Sequence, residues 1–165
     1  MEERLTQGNP TDGAILRFAE GATPSDSVRS THPQITQVTF NSKNKFALTC
    51  HNESQSAEKS SCLVLVKGAP DVLISKCTSY LSHADGSVRP FDAAAHQRFS
   101  ELQTRLSRNA ERVLMFCQRT YSTVGSPTDK GFEQELLDNA MSDLTIIGVV
   151  GIFDPPRPEL SLIHI

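Results

Sequence analysis

Residues Cys62-Leu63-Val64-Leu65-Val66 form an unbroken apolar run that stops at Lys67-Gly68-Ala69-Pro70-Asp71. Apolar residues without polar alternation predict a strand covered on both faces, inside a sheet that has neighbours on each side of it. Pro70 has no N–H to give to a ladder, so the strand must end before it, and proline is well suited to the first turn of a helix. Asp71 complements the positive end of that helix. The sequence therefore predicts a strand, a bend at Gly68 and a helix from Ala69 to about Lys76, all within fifteen residues.

The neighbours are legible on either side. Upstream, Ile35 to Phe40 and Phe46 to His51 read as two strands joined by the polar turn Asn41-Ser42-Lys43-Asn44-Lys45, a length that suits a hairpin. In the second of them Phe46, Leu48 and Cys50 alternate with Ala47, Thr49 and His51, giving one apolar face. Downstream, Asp85-Gly86 marks a tight hairpin, and Asp92 to Arg108 spaces Ala95, Phe99, Leu102 and Leu106 as an amphipathic helix with Asp92 as its cap. Arg112 to Tyr121 reads as a strand, Phe132 to Met141 as a short helix, and Leu144 to Phe153 as a buried final strand. At the start, cap-type residues before Ile15, Phe18 and Ala19 predict a helix between Gly8 and Glu20. The Ser/Thr/Pro-rich stretch Gly21 to Pro33 and the polar stretch Asn52 to Ser61 read as loops. Helices and strands mix without strict βαβ alternation, so the expected class is α+β: a mostly antiparallel sheet flanked by helices.

A chain of 165 residues suits one domain with a single core. Its net charge of −3 argues against a nucleic-acid polyelectrolyte, so an anionic ligand must be held by local basic groups. The longest apolar stretch, Leu144 to Phe153, is half the length of a membrane-spanning helix, which predicts no direct membrane insertion by these residues. Met1-Glu2-Glu3-Arg4 opens on charge, unlike a secretory leader. Cys50, Cys62, Cys77 and Cys117 are widely spaced and read as reduced thiols, with three of them inside strands as small hydrophobes. His32, His51, His83, His96 and His164 occur singly, which does not suggest a metal site. There is no Gly-x-x-x-x-Gly-Lys phosphate loop and no Asp-x-Asp pair for an autonomous phosphatase.

Three segments place a ligand-capable side chain at a strand end: Phe40 and Lys45 around the hairpin turn, Lys67 beside Gly68, and Arg112 in Glu111-Arg112-Val113-Leu114. Taken singly, Phe40 reads as a core aromatic and the three cations as solvated surface charges. Taken in order, they resemble the nucleotide-binding domain of the P-type ATPases, chiefly the sodium/potassium and proton/potassium pump type. Lys67-Gly68-Ala69-Pro70-Asp71 is similar to that family's Lys-Gly-Ala-Pro-Glu signature, and Asp154-Pro155-Pro156-Arg157 resembles the hinge back to its phosphorylation domain. Gly8-Asn9-Pro10-Thr11-Asp12, Phe40-Asn41-Ser42-Lys43-Asn44-Lys45 and Glu111-Arg112-Val113-Leu114 follow the family order.

The resemblance implies ATP, supplied as Mg-ATP, as the ligand. Adenine would stack on Phe40, Lys45 and Lys67 would line the pocket, and Gly68 and Ala69 would keep its wall low. Arg112 would meet the phosphate or ribose end, Asp12 would accept from the adenine amino group as the family's glutamate does, and Cys117 would stand at the pocket edge. Ala47 stands where close relatives carry glutamine. The magnesium ligands would lie mostly outside the chain. Residues 1–153 would be the ATP-binding domain, without the family's first strands, and 154–165 the hinge and the start of a phosphorylation domain. The implied partners are the phosphorylation and transmembrane domains of the same pump, at the cytosolic face of a membrane. The phosphorylated-aspartate motif Asp-Lys-Thr-Gly-Thr does not occur in the sequence, so the chain alone is expected to bind ATP without turnover. The alternative reading is a truncated non-catalytic relative acting as an interaction or regulatory module through the Gly21–Pro33 and Asn52–Ser61 stretches.

Overall fold

A computed structural model describes residues 9–52, 61–123 and 129–153. The hinge residues Asp154, Pro155, Pro156 and Arg157 lie outside the described residues, as does most of the Asn52–Ser61 stretch. In chain order the elements are α1 (Pro10–Glu20), α2 (Ser25–Thr31), β1 (Gln34–Val38), β2 (Phe46–Asn52) and β3 (Ser61–Gly68). Helix α3 (Pro70–Leu73) runs into a 3-10 turn (Ile74–Lys76), and β4 (Cys77–Leu81), β5 (Val88–Pro90) and α4 (Ala93–Arg108) follow. Strand β6 (Glu111–Ser122), helix α5 (Phe132–Asn139) and β7 (Leu144–Phe153) complete the described chain.

The strands form one sheet in the order β1-β2-β3-β6-β7-β4-β5. Every pairing is antiparallel except that of β4 with β7, so the expected α+β class with a mostly antiparallel sheet is what the chain adopts. The local signals acted as the sequence predicts. Asp92 Oδ1 accepts from the Ala95 N–H at 2.8 Å and caps α4, Pro70 opens α3, and Gly86 takes φ +70° in the β4–β5 turn.

Residues facing each other across a ladder share a side of the sheet, so register assigns the faces. Phe46, Leu48 and Cys50 of β2, Cys62, Val64 and Val66 of β3, and Met115 and Cys117 of β6 lie on one buried face. Leu73 of α3, Phe99 of α4 and Phe132 and Leu136 of α5 close the core over it. The cysteines are free thiols, and Cys50, Cys62 and Cys117 pack in this layer as small hydrophobes.

Three expectations require correction. Strand β3 is not covered on both faces: Cys62, Val64 and Val66 are buried, whereas Leu63 and Leu65 are half-buried, because α3, α4 and α5 all lie on the Val64 side. The Gly21–Pro33 stretch is not all loop, since Ser25–Thr31 is helical. Glu20 Oε1 accepts from both the backbone N–H and the hydroxyl of Ser25, and the Ser30 and Thr31 hydroxyls donate back to Ser27 and Val28 carbonyls. Helix α2 buries no residue, so it carries no apolar periodicity for the sequence to show. Strand β7 is buried at Leu144 and Ile146 but open beyond, with Phe153 61% exposed. Its pairing with β4 ends at Ile146, so its outer half has β6 on one side only.

Two predictions follow from this packing. Leu48 is fully buried between β1, β3 and the helices, so Leu48→Ala should lower stability by about 2–5 kcal/mol, read from urea unfolding. In the β4–β5 turn, Asp85 accepts from Ser87 Oγ at 2.7 Å, Ser87 N at 3.1 Å and Arg89 Nη2 at 2.7 Å. The Ser87 hydroxyl first, then its N–H and Arg89, hold the Asp85 carboxyl below the ordinary aspartate range. A depressed carboxyl stabilises the turn above the ordinary aspartate value of about 4 and loses that contribution as pH falls below it. Protection of the amides of residues 82–87, taken as exchange relative to the intrinsic rate at each pH, should therefore fall below about pH 4 in the native chain, and Asp85→Asn should remove that acid dependence.

Candidate functional site

The ends of β2 and β3 are locked together. The Ala69 N–H donates to the Lys45 carbonyl at 3.0 Å, and a Cβ on Gly68 would stand 2.7 Å from that carbonyl oxygen and 2.7 Å from Phe46 Cβ. The residue type at 68 is thus dictated by backbone against backbone. Gly68 also lines the cleft described below.

The turn before β2 sets the next side chain. Asn41 Oδ1 accepts from Asn44 N at 2.7 Å, the Asn41 carbonyl accepts from Lys45 N at 2.8 Å, and Lys45 closes the loop at φ 56°. Phe40 is thereby left beyond the last residue of β1 and 59% exposed, outside the core that an isolated phenylalanine suggests.

A third wall comes from α1. Asn9 caps it, accepting from Thr11 N at 3.0 Å, and Pro10 occupies its first turn. Thr11 and Asp12 then meet the sheet: Lys67 Nζ lies 2.5 Å from Asp12 Oδ1, and Arg112 Nη1 donates to Thr11 Oγ1 at 3.1 Å. Lys67 pairs with Ala47 and Phe116 across its ladders and so belongs to the sheet face opposite the helix-covered core.

Together these elements enclose a cleft of ≈ 310 Å³ lined by Asp12, Phe40, Lys67, Gly68 and Arg112, with Asn9, Thr11, Gln37, Val38, Thr39, Ala47, Leu48, Thr49 and Leu114. The volume is at the lower end of ordinary small-ligand sites. Chemically the cleft offers one exposed aromatic, an ammonium and a guanidinium. A second groove of ≈ 310 Å³, under α4, holds Tyr80, Phe91, Phe99 and Arg98 and none of the sequence-predicted residues.

Three predicted site residues stand apart from the cleft lining. Lys45 turns its ammonium to Asp71 Oδ2 at 3.4 Å, and Ala69 contributes its backbone to the β2–β3 lock. Cys117 lines a separate groove of ≈ 240 Å³ that shares Ala47, Thr49 and Lys67 with the cleft. Its thiol is buried 3.6 Å from Cys77 Sγ, and that contact, followed by burial, pushes it up from the ordinary thiol range. The converse holds for Cys77, which is lowered by its hydrogen bond to Cys117.

Sequence reasoning placed Asn9, Thr11 and Leu114 in family-like segments without assigning them to the cleft, and gave Asp71 no partner in Lys45. Leu114 was findable, since it stands two residues from Arg112 on the same strand and so on the same face. Thr11 and Asp71 earn their roles from partners far along the chain, which spacing does not reveal. No group of three His, Cys, Asp or Glu arranged for a metal occurs among the described residues, and Asp12 and Asp71 are each paired with a lysine.

A family model described as P-type ATPase, cytoplasmic domain N, matches residues 1–159. The chain belongs to this domain N family. Its relatives include the sodium/potassium-transporting ATPase subunit alpha-4 of Rattus norvegicus, 31% identical over 160 residues that make up 95% of this chain and 15% of that protein. The sodium/potassium-transporting ATPase subunit alpha of Tetronarce californica is 31% identical over 156 residues, 94% of this chain and 15% of that protein. The potassium-transporting ATPase alpha chain 2 of Oryctolagus cuniculus is 30% identical over 156 residues, 94% and 14% respectively. This domain N chain thus spans about a seventh of the length of these relatives. No helix among the described residues is long and apolar enough to cross a membrane.

The β2–β3 lock of the domain N sheet gives a prediction. Gly68→Ala forces a methyl onto backbone atoms that cannot step aside, and should destabilise the domain by about 1–3 kcal/mol in urea unfolding. Gly131→Ala, where a Cβ meets nothing within 4 Å, should stay within about 0.5 kcal/mol of the native chain.

Proposed function

We propose that this chain binds ATP in the cleft between α1, the β1–β2 turn, the end of β3 and the start of β6. Membership of the domain N family supports a nucleotide-binding role. The single observation that carries the reading is Phe40. Phe40, 59% exposed, stands on the wall of the same cleft as Lys67 and Arg112, so a flat apolar ring and two cations face one ligand-sized space. Adenine stacks on Phe40, an interaction worth about 1–3 kcal/mol per base. Lys67 and Arg112 take the phosphate end, where the planar fork of arginine can hold two oxygens at once. Lys45 stands beside the cleft as a further cation, Gly68 and Ala69 supply its floor and lock, Asp12 is a wall residue, and Cys117 shapes the adjoining groove.

In a pump like the relatives, the domain contributes positioning: it holds ATP by its base and delivers the γ-phosphate to the aspartate of a separate phosphorylation domain, with Asp154 to Arg157 as the hinge. Residues 1–153 act as the ATP-binding unit and 154–165 as the connection to that domain. The phosphorylation and transmembrane domains are its partners, and it works at the cytosolic face of the membrane they occupy. Magnesium travels with the nucleotide and finds its protein ligands elsewhere. The chain by itself binds without turnover.

One stacked base and a few exposed charge-assisted contacts, less the cost of association, leave roughly 4–6 kcal/mol, a Kd of roughly tens of micromolar to a millimolar. Titration with ATP by calorimetry or NMR should show saturable binding in that range, and Phe40→Ala should weaken it by about tenfold, within the stacking range. Absence of saturation up to several millimolar, or equal affinity in Phe40→Ala, refutes the site.

A further inference from the structure

The groove under α4 lies where β4 parts from β7. The two strands pair only as far as Tyr80 and Ile146, and the chain then leaves β4 through the turn at residues 82–87. Ile147, Gly148 and Val149 are left without a β4 partner and line the groove together with the Ala95, Phe99 and Leu102 stripe of α4. Its ≈ 310 Å³ are walled further by Phe91, which meets Phe99 edge-on with ring centres 6.2 Å apart. The groove and the nucleotide cleft have no lining residue in common.

Two independent features mark this space for a ligand. A Cβ on Gly148 would meet no atom within 4 Å, and Gly148 is not among the residues at positive φ. Unlike Gly68, it answers neither crowding nor a left-handed backbone, and a glycine inside a strand is one mark of a place that a ligand approaches closely. The second feature is charge. Exposed Arg98 lines the groove and has no hydrogen-bond or ion-pair partner among the described residues. No Asp or Glu lines the groove, and Glu101, the one carboxylate of α4, accepts from Gln97 at 3.0 Å.

We propose that this groove binds an amphiphilic carboxylate, of the kind a short fatty-acid anion presents. Its hydrocarbon chain lies over Gly148 between Phe91, Phe99 and Leu102, and its carboxylate meets Arg98. Charge complementarity selects this class. The planar fork of arginine matches a carboxylate in two parallel contacts, while the apolar walls give a compact anion such as free phosphate nothing in exchange for its water. A neutral hydrocarbon leaves Arg98 as it is and gains only the walls. Because the two sites are lined by different residues, the carboxylate and a nucleotide bind without competing.

The test titrates the 165-residue chain with octanoate, hexanoate and octanol, followed by NMR shifts and calorimetry. Octanoate should saturate in the millimolar range or below, moving the amides of Ile147, Gly148 and Val149 and leaving that of Phe40 in place. Hexanoate, two methylenes shorter, should bind about five- to fifteenfold more weakly. Gly148→Val fills the empty space with a good strand former and should lower octanoate affinity about tenfold, as the loss of two methylenes would, without lowering the urea midpoint. Arg98→Gln should weaken octanoate about two- to fivefold, the range of an exposed ion pair, with octanol unchanged. Its exposed position keeps the test open should Gly148→Val fold poorly. Failure of octanoate to saturate, or shifts confined to the Phe40 cleft, overturns the site. Native octanoate affinity in a folded Gly148→Val, or octanoate binding indifferent to Arg98→Gln, overturns it equally.

Discussion

The approach of β3 to β2 at Gly68 leaves no space for a side chain, and the arrangement of the cleft depends on that contact. Because the two backbones meet there, β2 must begin and β3 must end at the same height in the sheet. The turn before β2 is then forced to close tightly, with Lys45 in the left-handed region and Asn41 bonding across it. That closure leaves Phe40 outside the sheet. On the other strand, Lys67 is the last residue before the contact and emerges on the face opposite the helix-covered core, beside α1, while Pro70 begins α3, whose Leu73 packs in that core. A single backbone proximity thus separates the aromatic, the lysine and the core helix into three directions within a few residues.

The sheet divides its two faces between stability and recognition. Helices α3, α4 and α5 bury the Leu48–Val64–Met115 side, and fully buried side chains among the described residues pack there. The other side keeps Ala47, Thr49, Leu65 and Phe116 half-covered and carries both Lys67 and the adjoining cleft. A residue of β2 or β3 therefore belongs to one task or the other according to the parity of its position, as alternation along a strand requires. Leu48 is the informative exception: it is core, and an atom of it still reaches the cleft lining, so the floor of the cleft is the back of the hydrophobic layer.

Most of the fold was legible because it is built from local devices. The Phe46/Leu48/Cys50 alternation, the Asp92 cap, Pro70 at a helix start and the Asp85-Gly86 turn each act within a few residues. What the sequence misjudged depends on distant partners. Strand β3 reads as covered twice because five apolar residues adjoin, yet Leu63 and Leu65 face a side with no helix over them in the described structure. Helix α2 exists through Ser and Thr bonding to its own turns, which leaves no periodic mark. The site was legible as a set of strand ends in family order, and Phe40, Lys67 and Arg112 do meet at one cleft. The ties of Asp12 to Lys67 and Thr11 to Arg112 were not, because no spacing rule joins positions so far apart.

Those ties bear on how a weakly acidic domain can attract a polyanion at all. With a net charge of −3 the chain has no long-range positive field, and charges beyond about 8–10 Å are screened at physiological salt. Under the proposed reading, the attraction acts at contact range, through Lys67 and Arg112. Asp12 of α1 pairs with Lys67 and Thr11 accepts from Arg112, and both contacts are exposed to solvent. A site organised in this way favours a ligand that brings both a flat ring for Phe40 and several anionic oxygens, since neither element alone replaces what the empty cleft already has. Moderate affinity follows from the same geometry, because contacts as exposed as these exchange rather than last.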